Sequence, residues 1–273
     1  QCVATTDCAS LGYTQTSCPD GKGLKCPFGN TWACTEDKTT NIPPLSIGDI
    51  LYADKTTSPD VVSGKTPIGI VIDSKNRLAA ALEIAPNDLA WQTDNSNSNS
   101  DWACNKDVIV DIPSLPNCTD SQYSNSANIT CETDGKKNTA TIISFAKEKN
   151  LIFPAAEYCN NYVPNGCKEA WCGRGQWFLP SMKQFNEFLE NLSIHFYRIK
   201  TLKKISNLRE FLLNYRNVWT SNEYGLYNGK ENIYAYNCGI TIFNDYTVSI
   251  VCTIGGNVVP KCNRRKVLPF IKF

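Results

Sequence analysis

The chain has 273 residues, a formal net charge of +1, one Met, one His and fourteen Cys. So balanced a charge provides no global field for nucleic acid, and no apolar run approaches the ~20 residues a membrane-crossing helix requires. Zinc and iron–sulfur chemistry do not account for the cysteines, because no C-x-x-C pair occurs and His195 is the only imidazole. Disulfides in an oxidising compartment remain, since cytosolic redox chemistry keeps thiols reduced. The expected location is therefore extracellular or at the cell surface, after removal of a signal peptide ahead of Gln1.

Two blocks follow one another along the chain. Residues 1–42 carry Cys2, Cys8, Cys18, Cys26 and Cys34 among Gly, Pro and Thr. Few aliphatic side chains stand there, so this Cys-rich module needs staples in place of a core. Asn41, Ile42, Pro43 and Pro44 make a short stiff connector. The second block, residues 43–273, opens with apolar runs at 47–53 and 67–72 that read as strands joined by a turn over 54–65. A third strand is expected over 77–84, after the hairpin residues 73–76. Residues 94–101 form a polar low-complexity loop, and Cys104, Cys118 and Cys131 punctuate a further loop-rich excursion.

Helices come next. Ile142, Ile143, Phe145 and Ala146 share one side of a helix expected over 138–149, and residues 154–161 make a short second one. Ser181 and Gln184 have capping-box spacing ahead of Phe185, Phe188 and Leu189. An amphipathic pattern of Ile199, Leu202, Ile205, Leu208, Phe211 and Leu212 predicts a further helix. Beyond Arg216 the chain turns to strands again, at 218–220, 233–236, 247–253 and 266–273. Strands, then helices, then strands define an α+β class.

Five of these segments carry a family resemblance: residues 48–52 (GDILY), 65–70 (KTPIGI), 177–181 (WFLPS), 218–223 (VWTSNE) and 266–273 (KVLPFIKF). In order and rough spacing, over about residues 45–273, they resemble a bacterial family of secreted C-type-lectin-like domains. The resemblance implies a C-type-lectin-like fold with a disulfide-rich N-terminal extension and loop-rich insertions. It implies that the W-x-L-P-S/T element ends a strand and caps the main helix. The W-S/T-S-x-E element would open the terminal β region, and the last strand would close the domain beside its N-terminal strand. Leu268 stands where the family often has Arg, and the helical segment 197–217 looks like an insertion. The N-terminal module, with Leu11, Gly12, Tyr13 and residues 24–28, resembles small Cys-rich repeats attached to such domains in gut-type bacteria.

Specific chemistry finds little support. A calcium–sugar loop of the lectin kind needs a Glu-Pro-Asn or Gln-Pro-Asn string and a Trp-Asn-Asp element. The nearest strings, residues 85–88 (APND) and 243–245 (FND), lack the leading Glu or Gln and the Trp. No cofactor or metal is expected on that basis. His195 has no nucleophile paired with it in sequence, and scattered carboxylates select no catalytic pair, so the expectation is a non-enzyme. The basic residues Arg198, Lys200, Lys203, Lys204 and Arg209 read as a solvated helix face. Glycosylation sequons occur at Asn117, Asn128 and Asn191. Trp177, Leu179 and Trp219 are expected as core anchors beside turns.

The region 219–246 combines Tyr and Asn, the composition of recognition loops, and is expected to form the ligand-facing loops. The expected function is a non-enzymatic binding or adhesion module of a bacterial surface, with Tyr224, Tyr227, Asn228, Tyr234, Tyr236 and Asn244 meeting a glycan or protein ligand. The alternative is a structural protomer of an extracellular filament or surface layer, meeting copies of itself through the N-terminal module and terminal strands. All fourteen cysteines are expected in structural disulfides: the five named above, together with Cys104, Cys118, Cys131, Cys159, Cys167, Cys172, Cys238, Cys252 and Cys262. Five and nine are both odd, so complete pairing within the chain requires a disulfide between the blocks.

Overall fold

The computed structural model describes residues 2–3, 33–34, 45–93, 104–105, 108–115, 134–194, 217–223, 234–242, 248–251 and 258–273. Its contacts divide the chain into two compact units, Gln1–Leu45 and Ser46–Phe273. In the first unit, β1 (Cys2–Val3) and β2 (Ala33–Cys34) pair antiparallel, with Cys2 opposite Cys34 and Val3 opposite Ala33.

The second unit mixes helices and strands, an α+β arrangement. In chain order come β3 (Ile50–Tyr52), β4 (Thr57–Ser58), β5 (Pro67–Asp73), β6 (Leu78–Ala81) and β7 (Leu89–Ala90). Then follow α1 (Gly135–Lys149), α2 (Pro154–Asn161), β8 (Trp177–Phe178) and α3 (Met182–Ile194). The terminal strands are β9 (Val218–Glu223), β10 (Tyr234–Ile242), β11 (Val248–Val251), β12 (Val258–Pro260), β13 (Arg264–Arg265) and β14 (Phe270–Lys272).

The larger sheet is antiparallel, in the order β4-β3-β5-β6-β14-β8. β5 reads as an unbroken apolar run because its residues 68–72 are all buried. Gly69 in β5 lies so close to β6 that a Cβ there would stand 2.9 Å from the Ala80 carbonyl oxygen. α3 lays Phe185 and Phe188 against Phe270 of β14, with ring centroids 5.6–6.1 Å apart. The hairpin at the sheet's edge is tied by Tyr52, whose hydroxyl donates to the Asp60 carbonyl and accepts the Val62 N–H, both at 2.9 Å. Lys65 sits 2.8 Å from Asp54; its hydrogen bond, with that of Thr56, holds the Asp54 carboxyl down to about 2.

In the second sheet, β10 carries β12 on one edge and β9 on the other, and Ala235 faces a partner on each. Gly239 to Ile242 then pair with β11. An apolar cluster gathers Trp91, Ile142, Phe153, Ala156, Leu179, Trp219, Ala235 and Val267. α1 and α2 therefore pack where the two sheets meet, and the parallel bridge between Val218 and Lys266 joins β9 to the C-terminal segment.

Local signals set the helix ends. The Asp134 carboxylate accepts the Lys136 and Lys137 N–H groups, so α1 starts three residues ahead of the periodic pattern at 138. Asn150 closes α1 in the left-handed conformation (φ 54°, ψ 45°). α2 spans the expected residues, with Pro154 in its first turn and Glu157 accepting the Phe153 N–H at 3.0 Å. The capping box is present: the Ser181 N–H donates to Gln184 Oε1 at 2.9 Å, and the Gln184 N–H to Ser181 Oγ at 3.2 Å.

Several expectations are corrected. The turn over 54–65 contains β4, and only Leu78–Ala81 of the segment 77–84 is strand. The closing strand β14 does not lie beside the N-terminal strand β3. Both edges of β3 are already occupied, by β4 and β5, so β14 inserts between β6 and β8. The loop 94–101, His195, the helix expected over 199–212 and the sequons at Asn117 and Asn128 lie outside the described residues. Asn191 is engaged in the fold, its side-chain amide donating to the Ile72 carbonyl at 2.9 Å.

The starts of α1 and α3 meet at Gly135. Its N–H donates to Gln184 Oε1, and a Cβ there would stand 2.5–2.6 Å from Ser181 N, Gln184 Oε1 and the Leu179 carbonyl oxygen. Ala favours helix over Gly by up to about 1 kcal/mol, but overpacking typically costs about 1–3 kcal/mol. Gly135→Ala is expected to lower stability in urea unfolding by about 1–2 kcal/mol; an unchanged or raised midpoint would show that the junction has slack.

Candidate functional site

The organising feature is β9. A strand of a half-exposed sheet alternates between core and water, yet all six residues Val218–Glu223 are buried. Thr220, Ser221, Asn222 and Glu223 are each 0 % exposed. Polar groups tolerate such burial only when partnered, and here the partners come from every surrounding element. The Trp91 indole donates to the Thr220 carbonyl at 2.9 Å, and the Trp219 indole to the Leu89 carbonyl at 2.8 Å. The Ser221 N–H donates to the Pro180 carbonyl at 2.8 Å, and its hydroxyl accepts from Asn138 of α1 at 3.0 Å. The Asn222 side-chain oxygen accepts the Met182 N–H at 2.7 Å, which satisfies an otherwise open donor in the first turn of α3.

Glu223 ends the strand in a buried ion pair. Lys261 is 0 % exposed; its ammonium contacts the Glu223 carboxylate, donates to the Val110 carbonyl at 2.8 Å and lies 3.6 Å from Asp111. The ammonium also sits 5.1 Å from the centre of the Trp91 ring, a cation–π contact. The second carboxylate oxygen of Glu223 accepts the Ile112 N–H at 3.2 Å. Burial pushes the Glu223 carboxyl above its ordinary range, with Lys261 opposing.

Together these contacts secure the strap 108–115. Gln92 adds two amide bonds to it, donating to the Val108 carbonyl and accepting the Val110 N–H, both at 3.2 Å. The Lys261 carbonyl in turn accepts the Trp91 and Gln92 N–H groups at 2.8 and 3.0 Å. The Cys104–Cys262 disulfide makes the attachment covalent. Glu223 and Lys261 are enclosed, and their contacts hold the backbone of the strap in place. Among the described residues no group of three His, Cys, Asp or Glu side chains gathers as a metal site. Asp88, from the first calcium-like string, pairs instead with Lys266 at 2.5 Å.

Of the expected ligand residues, Tyr234 and Tyr236 stand in β10 opposite Pro260 and Val258. Tyr224, Tyr227, Asn228 and Asn244 lie outside the described residues. The region 219–246 is not loop throughout, since 219–223 and 234–242 are strand. Trp177, Leu179 and Trp219 are core anchors at no more than 1 % exposure, and the Trp177 indole donates to the Cys172 carbonyl at 2.7 Å. Lys261, Gln92 and Asp111 escaped sequence reasoning, because nothing local marks a lysine or glutamine whose partners lie on distant segments. The one available signal was Glu223, already part of the element 218–223.

Cysteine pairing is also corrected. Cys104–Cys262 and Cys167–Cys172 are disulfides, whereas Cys159, expected in one, is a free thiol. It is 0 % exposed on α2, packed in the apolar cluster with Phe153 and Ala156. A small apolar side chain is what that position needs. The second block then holds eight other cysteines, an even set, and the parity that demanded a disulfide from its side disappears. Cys8, Cys18, Cys26, Cys118, Cys131 and Cys252 lie outside the described residues; Cys238 is in β10 opposite Val218.

Two measurements check this site. Lys261→Met leaves the Glu223 charge buried without its counter-ion and is expected to cost about 3–5 kcal/mol in urea unfolding. Adding Glu223→Gln should recover over half of that loss; a cost below about 1 kcal/mol for the single variant would show the pair to be incidental. Burial raises the Cys159 thiol well above its ordinary range, so iodoacetamide should label it only in concentrated guanidinium. Rapid labelling of the native protein at Cys159 would contradict the packing described.

Comparison with protein-family models, with curated proteins and with solved structures finds no match for this chain.

Proposed function

We propose that the chain is a secreted, disulfide-stabilised binding module of a bacterial surface, C-type-lectin-like in its second unit, that adheres to a glycan or protein through segments carried on β9–β12. The observation that supports this reading is the buried polar anchorage of β9. A strand bonded to two helices and to a strap near the Cys104–Cys262 disulfide is a firm base for the connecting segments 224–233 and 243–247. Binding residues concentrate on such connections when a scaffold positions them. The enclosure of Glu223 and Lys261 favours a holding role for the most strongly perturbed charges over a catalytic one.

Assembly into a filament is the competing reading, and terminal strands were one means for it. β14 has neighbours along both edges, β6 and β8, which leaves it no free edge for strand exchange with another subunit. Binding is accordingly preferred. Glycan-array screening and electron microscopy of the oxidised protein test the choice. Discrete particles that bind a defined glycan or protein, weakened about tenfold by Tyr234→Ala or Tyr236→Ala, are the expected result. Ordered filaments with no ligand on the array would overturn it.

A further inference from the structure

A groove of about 340 Å³ runs along α1. Its volume falls within the range of small-molecule sites, about 300–1,000 Å³. Lys137, Ala140, Thr141, Ser144, Phe145 and Glu148 line it from the helix, and Ser114 from the strap. The helical residues recur three, four, seven, eight and eleven positions after Lys137, so they form one continuous stripe. Eleven residues of helix span about 16 Å, which makes the groove long.

Both walls are held firmly. α1 is capped by Asp134 and Asn150. The strap beside it is fixed through Ile112, whose N–H is bound by Glu223, and through buried Leu115, bonded back to the Ile112 carbonyl. Phe145 is half-buried, with its inner edge set against Phe153 at 6.4 Å between centroids. A preformed groove loses little freedom on binding.

We propose that this groove binds a short, neutral, linear oligosaccharide. Three hydroxyl-bearing residues, Ser114, Thr141 and Ser144, line the groove together with Phe145. Hydroxyls that both donate and accept match the alternating demands of sugar hydroxyls, while the ring covers a sugar's apolar C–H face. One cation, Lys137, and one anion, Glu148, stand at the two ends of the stripe, so the groove's lining carries no net charge and suits a neutral ligand. An extended peptide of the same length fits less well. Peptide recognition in extended form draws on main-chain partners at a sheet edge, and the α1 wall has its backbone committed to the helix. The groove's lining shares no residue with 224–246, and its ligand is independent of that reading.

Nuclear magnetic resonance titration of the oxidised protein tests it with three probes: maltotriose, cellotriose and triacetylchitotriose. At least one should shift the amides of Ser114 and of 137–148 saturably, with saturation transfer from the Phe145 ring. Ala140→Trp fills the groove from an exposed helical position and should weaken that binding at least about tenfold with an unchanged circular dichroism spectrum. Phe145→Leu, which keeps apolar packing but removes the ring, should weaken it as well. The proposal fails if none of the three sugars binds, if binding survives Ala140→Trp, or if a neutral hexapeptide binds the groove in their place. Glycan binding that survives Ala140→Trp but is lost on Tyr236→Ala would sink the groove alone and leave the preceding section's reading intact.

Discussion

The fold depends on a polar strand buried at its centre. Thr220, Ser221, Asn222 and Glu223 have no access to water, so each must find a protein partner or cost the domain a desolvated polar group, about 1–3 kcal/mol apiece. That requirement turns β9 from a strand among strands into a junction. α1 reaches it through Asn138, α3 through the Met182 N–H, the segment around β7 through the Trp91 indole, and the strap through Ile112. Such a network is an all-or-none device: complete, it specifies one arrangement, and with one member missing it penalises the rest. The Lys261–Glu223 pair carries the largest stake, because a charge left alone there cannot be rehydrated.

Covalent and ionic attachment act on the same strap for different reasons. The Cys104–Cys262 disulfide closes a separation of 158 residues, worth about 5 kcal/mol in the chain-entropy picture. Cys167–Cys172 closes five and contributes roughly 2 kcal/mol on the same account. The long closure limits how far the strap and the 261–262 segment separate in the unfolded chain; the Gln92 amide and Glu223 carboxylate then set its register. Cys159 shows that cysteine chemistry here is not uniform. Once it is removed from the tally, thirteen cysteines remain, so at least one more lacks a partner within these 273 residues.

A shared acceptor joins the two longer helices. Gln184 Oε1 takes the N–H of Ser181, closing its own capping box, and the N–H of Gly135 at the start of α1. Two helix N-termini therefore converge on one side-chain oxygen, which is why the position facing it has no Cβ. The same convergence sets the Leu179 backbone against Thr139, which accepts the Leu179 N–H at 2.9 Å. The close approach of α1 in turn brings Asn138 within reach of Ser221.

The features legible from the residues alone lie within a few positions of their cause. Pro154 and the Ser181–Gln184 pair set helix starts through backbone groups three or four positions away, and the apolar run at 67–72 is long enough to name a buried strand. The anchors Trp177, Leu179 and Trp219 were legible from size and from flanking turns. Tertiary structure alone decided the rest, because the deciding partner was distant in every case. Glu223 meets Lys261 across 38 positions, β14 settles between β6 and β8 because β3 was already taken, and Cys159 stays a thiol because α2 turns it into the core. The groove along α1 follows the same rule: the helix was legible in the periodicity, but only the folded chain set Ser114 against it.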